Sequence, residues 1–158
     1  MEDYLRACRQ LWTGEVVAFA SGTVTLDRVQ NRPTPWNRSS VPIWFGGLAN
    51  ALTVRRIVEL GDGWLPMGAP PAPVLQAGVQ AITDACAPAG RDPRSIGVRV
   101  QLPTRRGPDG RASLTETLRA VSDLASAGVT SVAVCIGDFA SDITALEDRL
   151  AELRALVP

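Results

Sequence analysis

From residue 43 onward the chain alternates short apolar runs with longer amphipathic ones, and this alternation narrows the possible folds more than any other feature of the sequence. The runs IWFGG (43–47), GWLPM (63–67), IGVRVQLP (96–103) and VTSVAVCI (129–136) have the length and side-chain type of strands. The segments between them place apolar residues at helical spacing: Leu52, Ile57, Val58 and Leu60 in 49–60, then Val74, Leu75, Val79, Ile82 and Cys86 in 72–87. A third helix is predicted to run from a capping box at Ser113 and Glu116 to Ala127, and a fourth carries Ile143, Leu146, Leu150 and Leu153 behind Ser141 or Asp142. Asn50 is placed to cap the first of these helices, and Gly61 and Gly128 to end the first and third. The pattern is βαβαβαβα, an α/β chain with parallel strands. Right-handed crossovers between strands in sequential order put all four helices on one side, which is the geometry of a partial (half) TIM (β/α)8 barrel: four parallel strands with flanking helices.

The first 42 residues precede that repeat. Residues 2–13 read as a helix with Leu5, Cys8, Leu11 and Trp12 on one side, and 16–27 as a β-hairpin turning at Ser21-Gly22. Residues 30–42, with three prolines, read as an irregular connection. The whole of 1–158 reads as a single domain: helix, hairpin and loop over 1–42, then four βα units over 43–158. A chain of this length buries roughly 70% of the surface that it exposes unfolded.

Composition removes several classes of function. Sixteen basic residues balance sixteen acidic ones, which leaves no electrostatic footprint for nucleic acid or for an anionic membrane surface. No apolar run approaches the roughly 20 residues of a membrane span, and MEDYLRACRQLW has no secretory pattern, so the chain reads as cytoplasmic. Cys8, Cys86 and Cys135 are dispersed and suit reduced, buried thiols, and with no histidine in the chain no metal site is expected. The missing histidine also removes Ser/His and Cys/His nucleophiles, and the absence of lysine removes Schiff-base chemistry and a P-loop.

Read in order, RQLWTGE (9–15), the hairpin with Phe19 and Asp27, NRPTPW (31–36), PIWFGGLANAL (42–52), RRIVELGDGWLPMG (55–68), AGRDP (89–93) and AGVTSVAV (127–134) resemble the luciferase-like monooxygenase family. The nearest likeness is to its F420-dependent oxidoreductase branch, and to the C-terminal half only. The resemblance implies a barrel that binds coenzyme F420, or alternatively FMN, in the mouth at the C-terminal ends of its strands. It implies oxidoreductase chemistry on a small-molecule substrate, by hydride transfer or monooxygenation, competent in a complete barrel. The alternative is a non-catalytic half-barrel remnant or interaction protein.

Gly46-Gly47 ends a strand and opens a helix, where small residues let an anion approach backbone N–H groups and the helix dipole favours negative charge. A tight βα turn needs glycine for its own sake, and both readings stand at this point. The resemblance adds cofactor contacts at Gly46, Gly47, Leu48, Ala49 and Asn50. In PTRRGPDGR (103–111), Thr104, Arg105, Arg106 and Arg111 are candidates to meet a cofactor phosphate or acidic tail, and a solvated loop is the simpler alternative. Met67-Gly68 and Gly137-Asp138 also reach the mouth, without an assigned role. Gly61-Asp62-Gly63 precedes its strand and reads as structural, with Trp64 packed against helices. No catalytic acid or base is assigned. Ile43 or Trp44, Val98 or Val100, and Val132 or Val134 are expected on the barrel interior, where a half-barrel leaves them in water. The chain is accordingly expected to be a homodimer or to lack an N-terminal half.

Overall fold

The computed structural model describes residues 1–36 and 41–156; the connection expected over 30–42 therefore lies partly outside the described residues. Helix α1 (Glu2–Trp12) leads into an antiparallel hairpin of β1 (Val17–Ala20) and β2 (Thr25–Val29). There follow β3 (Trp44–Gly46), α2 (Ala51–Leu60), β4 (Gly63–Leu65), α3 (Ala72–Cys86), β5 (Gly97–Gln101), α4 (Leu114–Leu118), α5 (Val121–Ser126), β6 (Ser131–Ala133) and α6 (Ile143–Leu156). Strands β3 to β6 form one parallel sheet in sequential order, flanked by helices. This is the α/β half-barrel arrangement expected, preceded by a helix and a hairpin. The strands are shorter than their apolar runs; Pro66 and Pro103, which lack an N–H, stand just beyond β4 and β5.

The register sets Phe45 beside Trp64 and Trp64 beside Val98, so these three side chains form one row facing the helices. Val54, Ile57 and Val58 of α2, and Leu75, Ile82 and Cys86 of α3, close over that row. Each large side chain buried there contributes roughly 1.5–3 kcal/mol. Trp64 lies beneath Gly78, where a Cβ would come within 2.3 Å of the indole. Leu52 and Val74, expected on the core face, are exposed. Val54, Ile57 and Val58 share a face at spacings of three and four, from which Leu52 is rotated away.

The opposite sheet face corrects a further expectation. Val98 and Val100 are buried against the helices, and Val132 packs against the same core. Of Ile43 or Trp44, it is Trp44 that lies on the open face as expected, and Leu65, Arg99, Gln101, Ser131 and Ala133 share that face with it. The Trp44 ring lies flat over Gly63 and Gly97, where added Cβ atoms would stand 2.2 and 2.5 Å from it. The Arg99 guanidinium sits 4.8 Å from the ring centroid, a cation–π contact, and Arg99 Nε donates to Ser131 Oγ at 3.2 Å. Two glycines thus let one aromatic ring cover two strands, and polar groups keep much of the remaining face hydrated.

At the N-terminal end of the sheet, Asp62 joins three strands and a helix. Its Oδ2 accepts from Ile43 N at 2.8 Å and from Arg9 Nη2 at 3.0 Å, its N–H donates to Ile43 O, and its carbonyl accepts from Gly97 N. Gly61 ends α2 at φ −97, so it is required by space rather than by a left-handed backbone: a Cβ would meet Phe45 at 2.9 Å and Ile57 at 3.0 Å. Arg91, from the AGRDP segment, donates to the Ile57 and Val58 carbonyls and caps the same helix end.

The helix expected to run unbroken to Ala127 is divided into α4 and α5. Ser113 Oγ accepts from Glu116 N, but Ser113 N donates to Arg105 O and the Glu116 carboxylate pairs with Arg119, so only half of the capping box forms. Cys86 is buried, which raises its thiol pKa, and Cys8 is half-buried; Cys135, expected to be buried, is exposed because it lies beyond the end of β6. Among the described residues no helix is long and apolar enough to cross a membrane.

Candidate functional site

The turn from β3 to α2 stands at the C-terminal edge of the parallel sheet. Gly47 has φ +121, a conformation that favours glycine, and its N–H donates to Leu65 O at 3.0 Å. Its carbonyl accepts from Trp64 Nε1 at 2.9 Å, so a core side chain fixes the turn from below. Gly46 has no such need: a Cβ there would meet only Leu65 O, at 3.9 Å. Asn50 N donates to Leu48 O, and Asn50 Oδ1 accepts from Thr53 N at 2.9 Å, capping α2 as expected. The first two helical N–H groups, of Ala51 and Leu52, are left without a partner among the described residues.

Beside this turn opens a cavity of about 330 Å³. Gly47, Leu48, Ala49 and Asn50 line one side, and Met67 and Val74 the other. The walls are largely apolar, and Leu48 and Met67 stand 69% and 74% exposed at the rim. The structure therefore brings four of the five expected turn residues to one cavity and sets Gly46 at the end of the adjoining strand.

Thr104 and Arg105 lie elsewhere on the same sheet edge, in the loop between β5 and α4. The Thr104 hydroxyl donates to Asp138, beyond β6, and both line a separate cavity of about 480 Å³ with Arg106 and Arg111. The backbone of Arg105 is occupied in holding the loop, with its N–H on Thr117 Oγ1 and its carbonyl accepting from Ser113 N. Its side chain lines neither cavity. The arginines of this loop that face the second cavity are Arg106 and Arg111. Met67 and Asp138, which the sequence leaves without a role, line these cavities from positions beyond the C-terminal ends of β4 and β6. No cluster of three potential metal ligands occurs among the described residues.

The model of the luciferase-like monooxygenase family matches residues 1–154. The expected restriction of the likeness to the C-terminal half only is thereby corrected, because the match spans almost the whole chain. An F420-dependent secondary alcohol dehydrogenase, solved with an F420-acetone adduct, superposes with a TM-score of 0.66 at 14% identity over 82% of this chain and 53% of its own. The coenzyme F420-dependent tetrahydromethanopterin reductase of Methanopyrus kandleri gives 0.64 at 16% identity over 92% of this chain and 58% of its own. Monooxygenase RslO1 of Streptomyces bottropensis gives 0.57 at 21% identity over 80% of this chain and 40% of its own. Likeness at these identities establishes the fold, and the chain spans about half the length of these structures. No curated protein is a significant match.

Proposed function

The chain belongs to the luciferase-like monooxygenase family, and from that premise we propose that it is an oxidoreductase that binds coenzyme F420, or FMN, at the turn from β3 to α2. The observation that carries the reading is the Gly47 turn itself. A glycine backbone held by Trp64 exposes the N–H groups of Ala51 and Leu52 at the start of a helix, beside a cavity with apolar walls. These residues fit a cofactor that joins a phosphate to a flat ring: the helix N-terminus suits the anion, and the absent Cβ lets it approach.

Such a ring, when bound, supplies two-electron chemistry on a small-molecule substrate. Gly47 and the α2 N-terminus hold the phosphate, Leu48, Met67 and Val74 exclude water beside it, and Asn50 stiffens the turn. Thr104 remains a candidate further contact, from the opposite side of the same sheet edge. The open sheet face is closed, in this reading, by a second copy of the chain, which completes the barrel.

Titration of the protein with FMN and with F420, followed by the emission of the cofactor, tests the proposal. Saturable binding of either one, weakened at least tenfold by Gly47→Val in a folded variant, is expected. Failure of both to bind overturns it.

A further inference from the structure

We infer that the basin between the β5–α4 loop and the segment after β6 binds an oxyanion, a phosphate or carboxylate, through Arg106 and Arg111. The inference deepens the proposed function by giving the ligand of this protein an acidic group, and it rests on that reading for its catalytic meaning. Two cavities, of about 480 and 620 Å³, share Arg111, Ala112 and Asp138 in their walls and so form one basin. Its floor is a built loop. Arg106 and Ala112 pair across an antiparallel bridge, Gly107 N donates to Arg111 O, and the chain turns at Gly110 with φ +76. Ser113 N and the buried Thr117 hydroxyl anchor Arg105 at the base of this loop.

The loop presents two guanidinium groups with capacity to spare. Arg106 Nη1 donates to Gly110 O at 2.7 Å, which orients the group and leaves its other donors free. The Arg111 guanidinium has no hydrogen bond or ion pair among the described residues. Two carboxylates share the basin, but neither is paired with these arginines: Asp109 accepts from Arg111 N, and Asp138 accepts from Thr104. Arg149, also in the wall, is paired with Glu152. With charges balanced, long-range steering is small, and recognition comes from the forked, directional donors that arginine offers to oxyanions.

Calorimetric titration with inorganic phosphate at fixed ionic strength tests the inference on wild type, R106Q/R111Q and the surface control R154Q. Saturable binding to wild type and control, at least tenfold weaker in the double variant, is expected. No saturable binding to wild type, or equal binding in the double variant, overturns it. Should the double variant fail to fold, R111Q alone serves, with a threefold or greater loss expected and an unchanged affinity overturning it. A comparison of FMN with riboflavin separates the two sources of the anion. If phosphate still binds FMN-saturated protein, the basin serves an acidic substrate. If FMN displaces phosphate and the double variant binds FMN no better than riboflavin, it serves the cofactor. Phosphate binding without affinity for FMN or F420 would sink the proposed function and leave this inference standing.

Discussion

The indole N–H of Trp64 donates to the carbonyl oxygen of Gly47 across the β3–β4 pair at 2.9 Å. A residue buried for packing therefore also determines the shape of the turn at the candidate site. Trp64→Phe keeps an aromatic ring under Gly78 but removes the donor and part of the volume. We expect a loss of about 1–3 kcal/mol in stability and cofactor binding several-fold weaker. Denaturant unfolding and cofactor titration measure the two effects, and unchanged affinity would show that the turn holds its shape without the indole.

The two glycines of the pair should behave differently. At Gly47 a Cβ meets nothing within 4 Å, yet φ is +121, so any side chain strains the backbone by about 1–3 kcal/mol. At Gly46 neither space nor φ demands glycine, and Gly46→Ala should change stability by no more than about 0.5 kcal/mol. Thermal melts of Gly46→Ala and Gly47→Ala decide the point; equal melting would remove the distinction.

Asp62 should matter for folding and not for the site. Asp62→Ala leaves Ile43 N–H without its acceptor and Arg9 without its ion pair, in a guanidinium whose Nε is already buried and unpartnered. A loss of about 1–3 kcal/mol follows from the hydrogen bonds alone. Cofactor affinity should stay within twofold, because Asp62 is at the other end of the sheet; a large loss of affinity with an unchanged melt would reverse the assignment.

Periodicity made the repeat of strands and helices legible because α2 and α3 each bury one stripe, although the stripe expected on α6 is not buried, with Ile143 and Leu150 exposed. It was a poorer guide to which strand face meets the helices. In short strands such as β5 the alternation of Val98, Arg99, Val100 and Gln101 fixes two faces but says nothing of which one is covered. The open face became clear only through Trp44, whose position depends on Gly63 and Gly97 in two other strands. At the site, the Gly47 turn was legible from its glycines, whereas Arg106 and Arg111 were not separable from Arg105. Their direction depends on a bridge and a turn within the loop that spacing does not reveal.

Acid should loosen α1 before the rest of the chain. Glu2 accepts from Arg55 and Arg56 of α2, and the hydrogen bond with Arg56 is the main cause that holds its carboxyl below its ordinary range. Asp3 is lowered likewise, first by the Thr23 hydroxyl and then by Ser21, which ties α1 to the hairpin. A carboxyl lowered in the folded state stabilises it above the unfolded pKa, near 4, and that stabilisation is lost as pH falls through the lowered folded value. Hydrogen exchange at pH 7 and pH 3 should show faster opening of α1 amides relative to α3 at low pH. Glu2→Gln should remove part of the difference, and uniform exchange at both pH values would contradict the mechanism.

Closure of the sheet by a second copy is the prediction with most at stake for activity. Strands β3 and β6 each lack a neighbour on one side among the described residues, and unpaired edges of a parallel sheet invite pairing. The open face supplies less apolar drive than four valine-lined strands would, since Arg99, Gln101 and Ser131 alternate with Trp44 and Leu65. Association should therefore depend on edge pairing and on the Trp44–Arg99 stack rather than on broad apolar burial. Light scattering after size-exclusion chromatography is expected to give the mass of two chains, shifting toward one in Trp44→Ala and in Arg99→Glu. Both substitutions leave the helix-facing core intact, so folding can be checked in the same samples by cooperative melting. A wild-type chain that melts cooperatively as a monomer and binds FMN or F420 would show that the half-barrel needs no second copy.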